Sequence, residues 1–471
     1  MDVQNKKLDL EELFIRRKEV LARWPTGNEI DLEEAIEYRK AIPRSRQMVY
    51  ALADAAKEGR ALVAAHIGHA GVEETMEHCQ AVAAIGAGYS NIAPDAYTRR
   101  GRYREAEKAV QASMAQGKSL LNGYPMVIHG LKNARKLNES VNIPLMIVDA
   151  VQERTELTTE IGLAAGFWRS SCDVSAVLMA SKDYPIDVKI REAQYKNRLT
   201  GYYEERGVPV QVQVTALFCG HDPPGIKVAM LVLHSLLAAE QGIKHIGLSP
   251  YLTAHLIQDV AMLRLSREMV QEYLKKFGYD IVVSVGATQF AGPYPSDEMK
   301  ILSILPLLYA TPILAGANFF HIKSPYQAIG IPDKDENVKA IKICNTVMEF
   351  LGKQRYDEGE EFKIEKEMIR LEAEAIISKT LELGDGDAAV GQIKAVEAGV
   401  IDVPYSPYPK VKDLAYPLRD DTGAIRWFKH GNIPLPKEVI EYHQESIARR
   451  LSGNNDSVID LMISDLNYVC R

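Results

Sequence analysis

The stretch HIGHAG places His66 and His69 three residues apart among small neighbours, a spacing that suits two ligands of one metal ion. No third ligand of matching type stands near them in sequence, so hydrogen bonding or substrate contact is the better-supported role, and no metal site is assigned. CGHDPPG offers a similar choice. Cys219, His221 and Asp222 lie close together, yet Pro223 and Pro224 equally make the segment a tight structural loop. Further groups with chemical potential are Asp95, Tyr97, Arg99 and Arg100, then Asn122 and His129, Asp149, Arg169 and Asp173, and the segments 289–294 and 323–327. There is no GxGxxG after a strand pattern, no phosphate-cradling GxxxxGK[ST] and no GxSxG elbow, so the usual nucleotide and hydrolase machineries are unsupported.

These groups share a place in the pattern: each follows a short apolar or β-branched run. The runs are 61–66, 89–93, 125–129, 145–148, 208–214, 245–248, 280–285 and 319–322, with a weaker one at 167–174. Helical patterns separate them, such as VAMLVLHSLLAAEQG, which Gly242 caps, and the segment from Leu252 that Gly278 closes. Strand then helix, repeated about eight times, predicts an α/β fold of the (β/α)8 TIM type. Nine candidate strands compete for eight places, so one is misread or lies outside. In such a barrel the working residues sit at the C-terminal ends of strands, where the candidates above fall. The expected organisation is a helical arm over 1–58, a barrel over 59–350 and a helical, irregular extension over 351–471 that wraps it.

The 471 residues carry 56 Lys and Arg against 63 Asp and Glu, a net charge of −7, which disfavours a dedicated nucleic-acid binder. Basic residues cluster no further than short pairs such as Arg99 and Arg100. Five scattered cysteines with no CxxC spacing suit reduced thiols, and the charged start lacks a signal-peptide pattern, so a cytoplasmic setting is expected. The apolar run 301–320 is broken by Pro306 and Pro312 and reads as buried helix and strand, not as a membrane span.

Seven longer stretches carry a family resemblance: RRKEVLARWPTGNEIDLEEAIEY, DAYTRRGRYREAE, GKSLLNGYP, RLTGYYEERGV, LLAAEQGIKHI, IKSPYQAIGIP and GQIKAVEAGVIDVP. In order and along nearly the whole chain, they resemble the large (epsilon) subunit of glutamate mutase, also called methylaspartate mutase. The resemblance implies a barrel that receives adenosylcobalamin over its mouth and whose radical chemistry is the cofactor's, with no catalytic side chain of its own. It further implies a homodimer within a heterotetramer that includes a small cobalamin-binding subunit bearing a DxHxxG motif. None of the eleven histidines here has an Asp two residues before it, so that motif is expected on a partner. Carried onto this chain, the cofactor contacts fall on Gly71, Asn122, Tyr294, Lys323, Gln327 and Ile331, with Gln327 standing where the family has Glu.

The substrate side departs further. The family holds a dicarboxylate with three arginines, each fork matching a carboxylate. Arg99 retains one, His69 aligns with the second, and the third falls near Val148, where no arginine stands. Ser170 aligns with the acidic contact to the substrate amino group, and the two tyrosines align with Ala176 and Met179 or Ala180. The expected substrate-binding set is therefore His69, Arg99, Asp149, Ser170 and Arg169, with a protonated His69 assisting Arg99 and with Arg169 or Arg154 serving the other end. Because an unpaired buried carboxylate costs several kcal/mol, the expectation is a related mutase for a different small acid. The alternative is a non-catalytic paralogue that binds the small subunit as a structural or regulatory partner.

Overall fold

The computed structural model describes residues 3–149, 153–170, 174–216, 220–326, 328–453 and 456–470. Its centre is a parallel sheet of short strands: β1 (Leu62–Ala64), β2 (His66–Ile67), β3 (Ser90–Ile92), β4 (Leu145–Ile147), β5 (Trp168–Ser170), β6 (Val212–Val214), β7 (His245–Leu248), β8 (Val282–Thr288) and β9 (Phe319–His321). β1 pairs with β9, β2 pairs with β3, and the others follow in chain order. Since β1 and β2 are two pieces of one strand interrupted at Ala65, the nine segments make eight staves, and the barrel closes.

Eight of the nine predicted runs are these staves. The ninth, 125–129, begins a helix, Met126–Glu139, kinked at Gly130 where φ is 73°. A five-residue apolar run has no period that separates buried strand from buried helix. The local decision came from the arm: Glu29 accepts from the Leu131 N–H (2.9 Å), and Thr26 donates to the Val127 carbonyl (2.7 Å).

Alternate strand residues fill the axis in layers. Leu62, Ala64, Tyr89, Met146, Trp168 and Phe319 form an apolar floor, closed from below by Met48, Leu52 and Ala55 of the arm helix Met48–Lys57. The Phe319 ring needs room on the opposite staves. A Cβ at Gly286 would stand 2.5 Å from it and one at Gly247 2.8 Å, so both positions exclude a side chain. One helix, Glu298–Ala315, is long and apolar enough to cross a membrane. Here it packs between the helices Leu256–Lys276 and Lys334–Leu351, burying Ile301, Leu305 and Tyr309.

Buried ion pairs fasten the two flanking segments. In the arm, Arg23 forks onto Glu156 (2.8 and 3.1 Å) and Arg17 reaches Glu160 (3.2 Å), both carboxylates lying on a helix of the barrel wall. In the extension, Arg426 of a two-stranded hairpin (Ala415–Arg419 with Ile425–His430) pairs with Glu365 (2.7 Å) and Asp420 (2.9 Å). Gln258 on a barrel helix also donates to Glu365 (2.8 Å). Burial works against the Glu365 carboxylate, but Arg426 and three hydrogen bonds outweigh it and hold its pKa below the usual range.

Removing Arg426 leaves two buried carboxylates without their cation. Arg426→Met is expected to destabilise the chain by about 3–5 kcal/mol, read as a lowered urea midpoint. Arg449→Met, whose partner Asp421 is exposed, is expected to cost less than about 1 kcal/mol.

Candidate functional site

Above the apolar floor the barrel axis turns polar. His321, at the end of β9, is hydrogen-bonded to the Tyr89 hydroxyl (3.0 Å), to Asn91 and to Gln213, so two other staves, β3 and β6, meet on one imidazole. The His66 ring lies next, its centroid 5.6 Å from that of His321. Burial first, then the charges of Lys323 and Arg99, push the His66 pKa down to about 3, so this ring is neutral at physiological pH.

The two cations that act on His66 come from opposite flanks. Arg99 sits on a short turn after β3 that Asp95 shapes by accepting from the N–H groups of Tyr97 (2.8 Å) and Thr98 (3.1 Å). The Arg99 Nε is buried and has no partner among the described residues. Lys323 follows β9, its carbonyl bonded by the Tyr309 hydroxyl. Burial pushes the Lys323 amine down to about 8. The mouth thus presents two cations beside a neutral imidazole, an arrangement suited to a carboxylate.

The other expected substrate contacts are placed differently. Strand alternation turns Trp168 and Ser170 inward and Arg169 outward, toward the helix Ile186–Glu205. There the Arg169 guanidinium bonds Asp149 (3.1 Å) and Asn197 (3.1 Å), and Ser170 donates to Asp149 (3.0 Å). Lys196 lies 3.5 Å from the same carboxylate, and Thr159 donates to it. Burial opposes ionisation of Asp149, but these cations and hydrogen bonds outweigh it and lower its pKa. The structure brings Asp149, Arg169 and Ser170 together as a buried group behind the mouth, in which the Arg169 Nη2 has no partner among the described residues. Arg169 is fully buried and committed to its partners. Arg154 donates through its N–H to Glu192 (3.1 Å) and packs against Gly101. Val148 is half-buried, and Ala176 is buried.

His69 does not share a layer with His66. Its ring lies against the helix Val72–Ala84, 2.8 Å from His78 and 3.2 Å from Glu74. In the CGHDPPG loop, Cys219 lies outside the described residues, as do Cys172 and Asp173. His221 packs on Phe290 (5.4 Å between centroids), burial pushes Asp222 up to about 6, and Pro224 starts a helix. Among the described residues no three His, Cys, Asp or Glu side chains are grouped to hold a metal ion.

Of the expected cofactor contacts, Gly71 begins the helix Val72–Ala84, and Asn122 is exposed with its carbonyl oxygen taken by the Ala96 N–H (2.9 Å), leaving its amide nitrogen outward. Tyr294 is buried, its hydroxyl donating to the Phe290 carbonyl (2.9 Å). Ile331 stands 51% exposed and Ile329 61%, exposed apolar residues of the loop that follows Lys323. Gln327 lies outside the described residues. Sequence reasoning missed Lys196, His78, His321, Asn91, Gln213 and Asn337. The alternation of Gln211 and Gln213 in VQVQV was the one available signal, and it marks Gln213.

Because burial favours the uncharged amine, Lys323 should be half neutral at pH 8, whereas an ordinary lysine is neutral only above pH 10. Carbamoylation of Lys323 by cyanate, followed by peptide mass spectrometry, is expected to rise between pH 7 and 9, ahead of an ordinary lysine.

Comparison with known proteins bears on this site. The family model for the methylaspartate mutase E chain (MutE) matches residues 42–471. A glutamate mutase epsilon subunit from Desulfitobacterium hafniense (strain Y51) is 36% identical, covering 96% of this chain and 94% of its own length. One from Treponema denticola is 35% identical over 97% of this chain and 94% of its own. A third, from Escherichia coli O157:H7, is 33% identical over 100% of this chain and 98% of its own. With a model match over most of its length and such relatives nearly end to end, the chain belongs to the methylaspartate mutase E chain family.

Proposed function

We propose that this chain is the large catalytic subunit of an adenosylcobalamin-dependent radical carbon-skeleton mutase, and that it works on a small acid other than glutamate. The observation that carries the reading is the barrel mouth: Arg99 and Lys323 flank a neutral His66, while the other positions where the family holds carboxylates carry Val148 and a His69 held against the helix Val72–Ala84. One carboxylate finds an arginine fork there. With Lys323 given to the cofactor, a second would lose its hydration with no further cation to replace it, at several kcal/mol.

The residues present fit the cofactor that the family implies. Lys323 brings a half-buried amine to the mouth, suited to ribose hydroxyls. Asn122 offers an exposed amide, Gly71 begins a helix at the mouth, and Tyr294, Gln327 and Ile331 complete the set, with Ile329 and Ile331 giving an apolar rim. When bound, adenosylcobalamin supplies a carbon radical by homolysis of its cobalt–carbon bond. The chain's own part is to hold the acid through Arg99, to orient it over the Tyr89, Asn91, Gln213 and His321 layer, and to keep water from the axis, which the apolar floor blocks from below. The cobalamin itself would be held mainly by a separate small subunit with the DxHxxG motif, in a heterotetramer with two copies of this chain.

Mixing the chain with that subunit, adenosylcobalamin and a panel of small acids is expected to give cob(II)alamin, followed by absorption and EPR, with at least one acid other than glutamate. Arg99→Ala is expected to lower kcat/KM for that acid about a hundredfold, the worth of a lost charge-assisted fork. Proper assembly with no cob(II)alamin from any acid would favour the non-catalytic partner. Tight glutamate binding that Arg99→Ala abolishes would overturn the substrate reading.

A further inference from the structure

The surroundings of His69 settle its protonation by hydrogen-bond logic alone. Asn337, buried on the helix Lys334–Leu351, uses one amide nitrogen twice: it donates to the His66 carbonyl (2.9 Å) and to the His78 Nε2 (2.9 Å). Flipping that amide would set its oxygen against the His66 carbonyl oxygen, so the donor assignment holds. His78 Nε2 therefore accepts, and a neutral His78 carries its proton on Nδ1. That N–H faces His69 Nε2 at 2.8 Å, so His69 Nε2 must accept as well. The His69 proton is left on Nδ1, which lies 3.2 Å from the Glu74 carboxylate and donates to it. A proton added to His69 would bring two N–H groups face to face.

Every ring nitrogen in this chain of contacts is thereby used. We infer that His69, locked neutral by Asn337 through His78 and bonded to the helix Val72–Ala84, is the specificity-determining residue that makes the second pole of the site uncharged, so that the substrate is an acid with a single carboxylate. This rests on reading the mouth as the acid-binding site, as proposed above. The charges facing the pair do not undo the lock: Asp333 and Glu74 favour a protonated His69 and Lys334 disfavours a protonated His78, but burial outweighs them and lowers both rings, His78 to about 3. The consequence is a different division of labour from the expected one. A protonated His69 beside Arg99 is replaced by Arg99 alone on the carboxylate, with Val148 and a neutral histidine pair elsewhere.

Two measurements on the full chain test this, and neither involves cobalamin. Long-range 1H–15N correlation of the protein labelled with [15N]histidine, with resonances assigned through His69→Gln and His78→Gln, is expected to show both rings neutral from pH 6 to 8 with the proton on Nδ1. A His69 that is charged at pH 7, or protonated on Nε2, would overturn the proposal. Isothermal titration with butyrate and glutarate is expected to show no preference for the dicarboxylate in the native chain or in His69→Gln, and at least a tenfold preference for it in His69→Arg. Native selectivity for glutarate that His69→Gln removes would also overturn it. Absence of cob(II)alamin in the reconstituted complex would count against the mutase reading and leave these two results standing.

Discussion

A charge taken out of water has to be met by another charge or by several hydrogen bonds, and this rule organises the molecule. The arm is held where Arg23 and Arg17 meet Glu156 and Glu160, and the extension where Arg426 meets Glu365 and Asp420. The ends of β4 and β5 are joined by Asp149 with Arg169 and Lys196. Against that background, Arg99 and Lys323 differ. They bring positive charge to the mouth with no carboxylate in contact among the described residues, from the loops after the two staves that flank His66. Two cations brought to the mouth beside a neutral imidazole with no carboxylate in contact suit an anion.

Much of the architecture was legible because parallel barrel strands are short apolar runs between caps and helical periods. Eight such runs became staves, including the weak one at 167–174. The misread run, 125–129, became a helix because Glu29 and Thr26 of the arm bond its backbone, contacts a hundred residues away that no local pattern contains. The loops at strand ends were found for the same reason that the staves were.

Side-chain direction within those loops was less legible. A strand buried on both faces has no polar side to mark which residue faces the axis, so Arg169 read as a mouth cation. Its neighbours Trp168 and Ser170 take the inward positions, and alternation sends Arg169 to Asn197. His69 illustrates the same limit across a longer distance. Its state depends on Asn337, far along the chain and brought near only because the first and last staves of a closed barrel are adjacent.

Closure also makes the mouth uneven. The extension lies on the loops that follow β6 and β7: Arg419 of its hairpin donates to the Thr253 carbonyl (2.7 Å), and the small space beside His221 is lined by Arg419, Met462 and Asp465. Those loops are thereby built into the body of the protein. The loops after β3 and β9 carry instead the exposed apolar side chains Tyr97, Tyr326, Ile329 and Ile331, with Arg99 and Lys323 at their bases. Exposed apolar groups beside uncompensated buried charge are costly in a surface that meets only water, and both costs fall when one partner covers them together. The two cations and the apolar rim are therefore best understood as one surface, completed by what binds there.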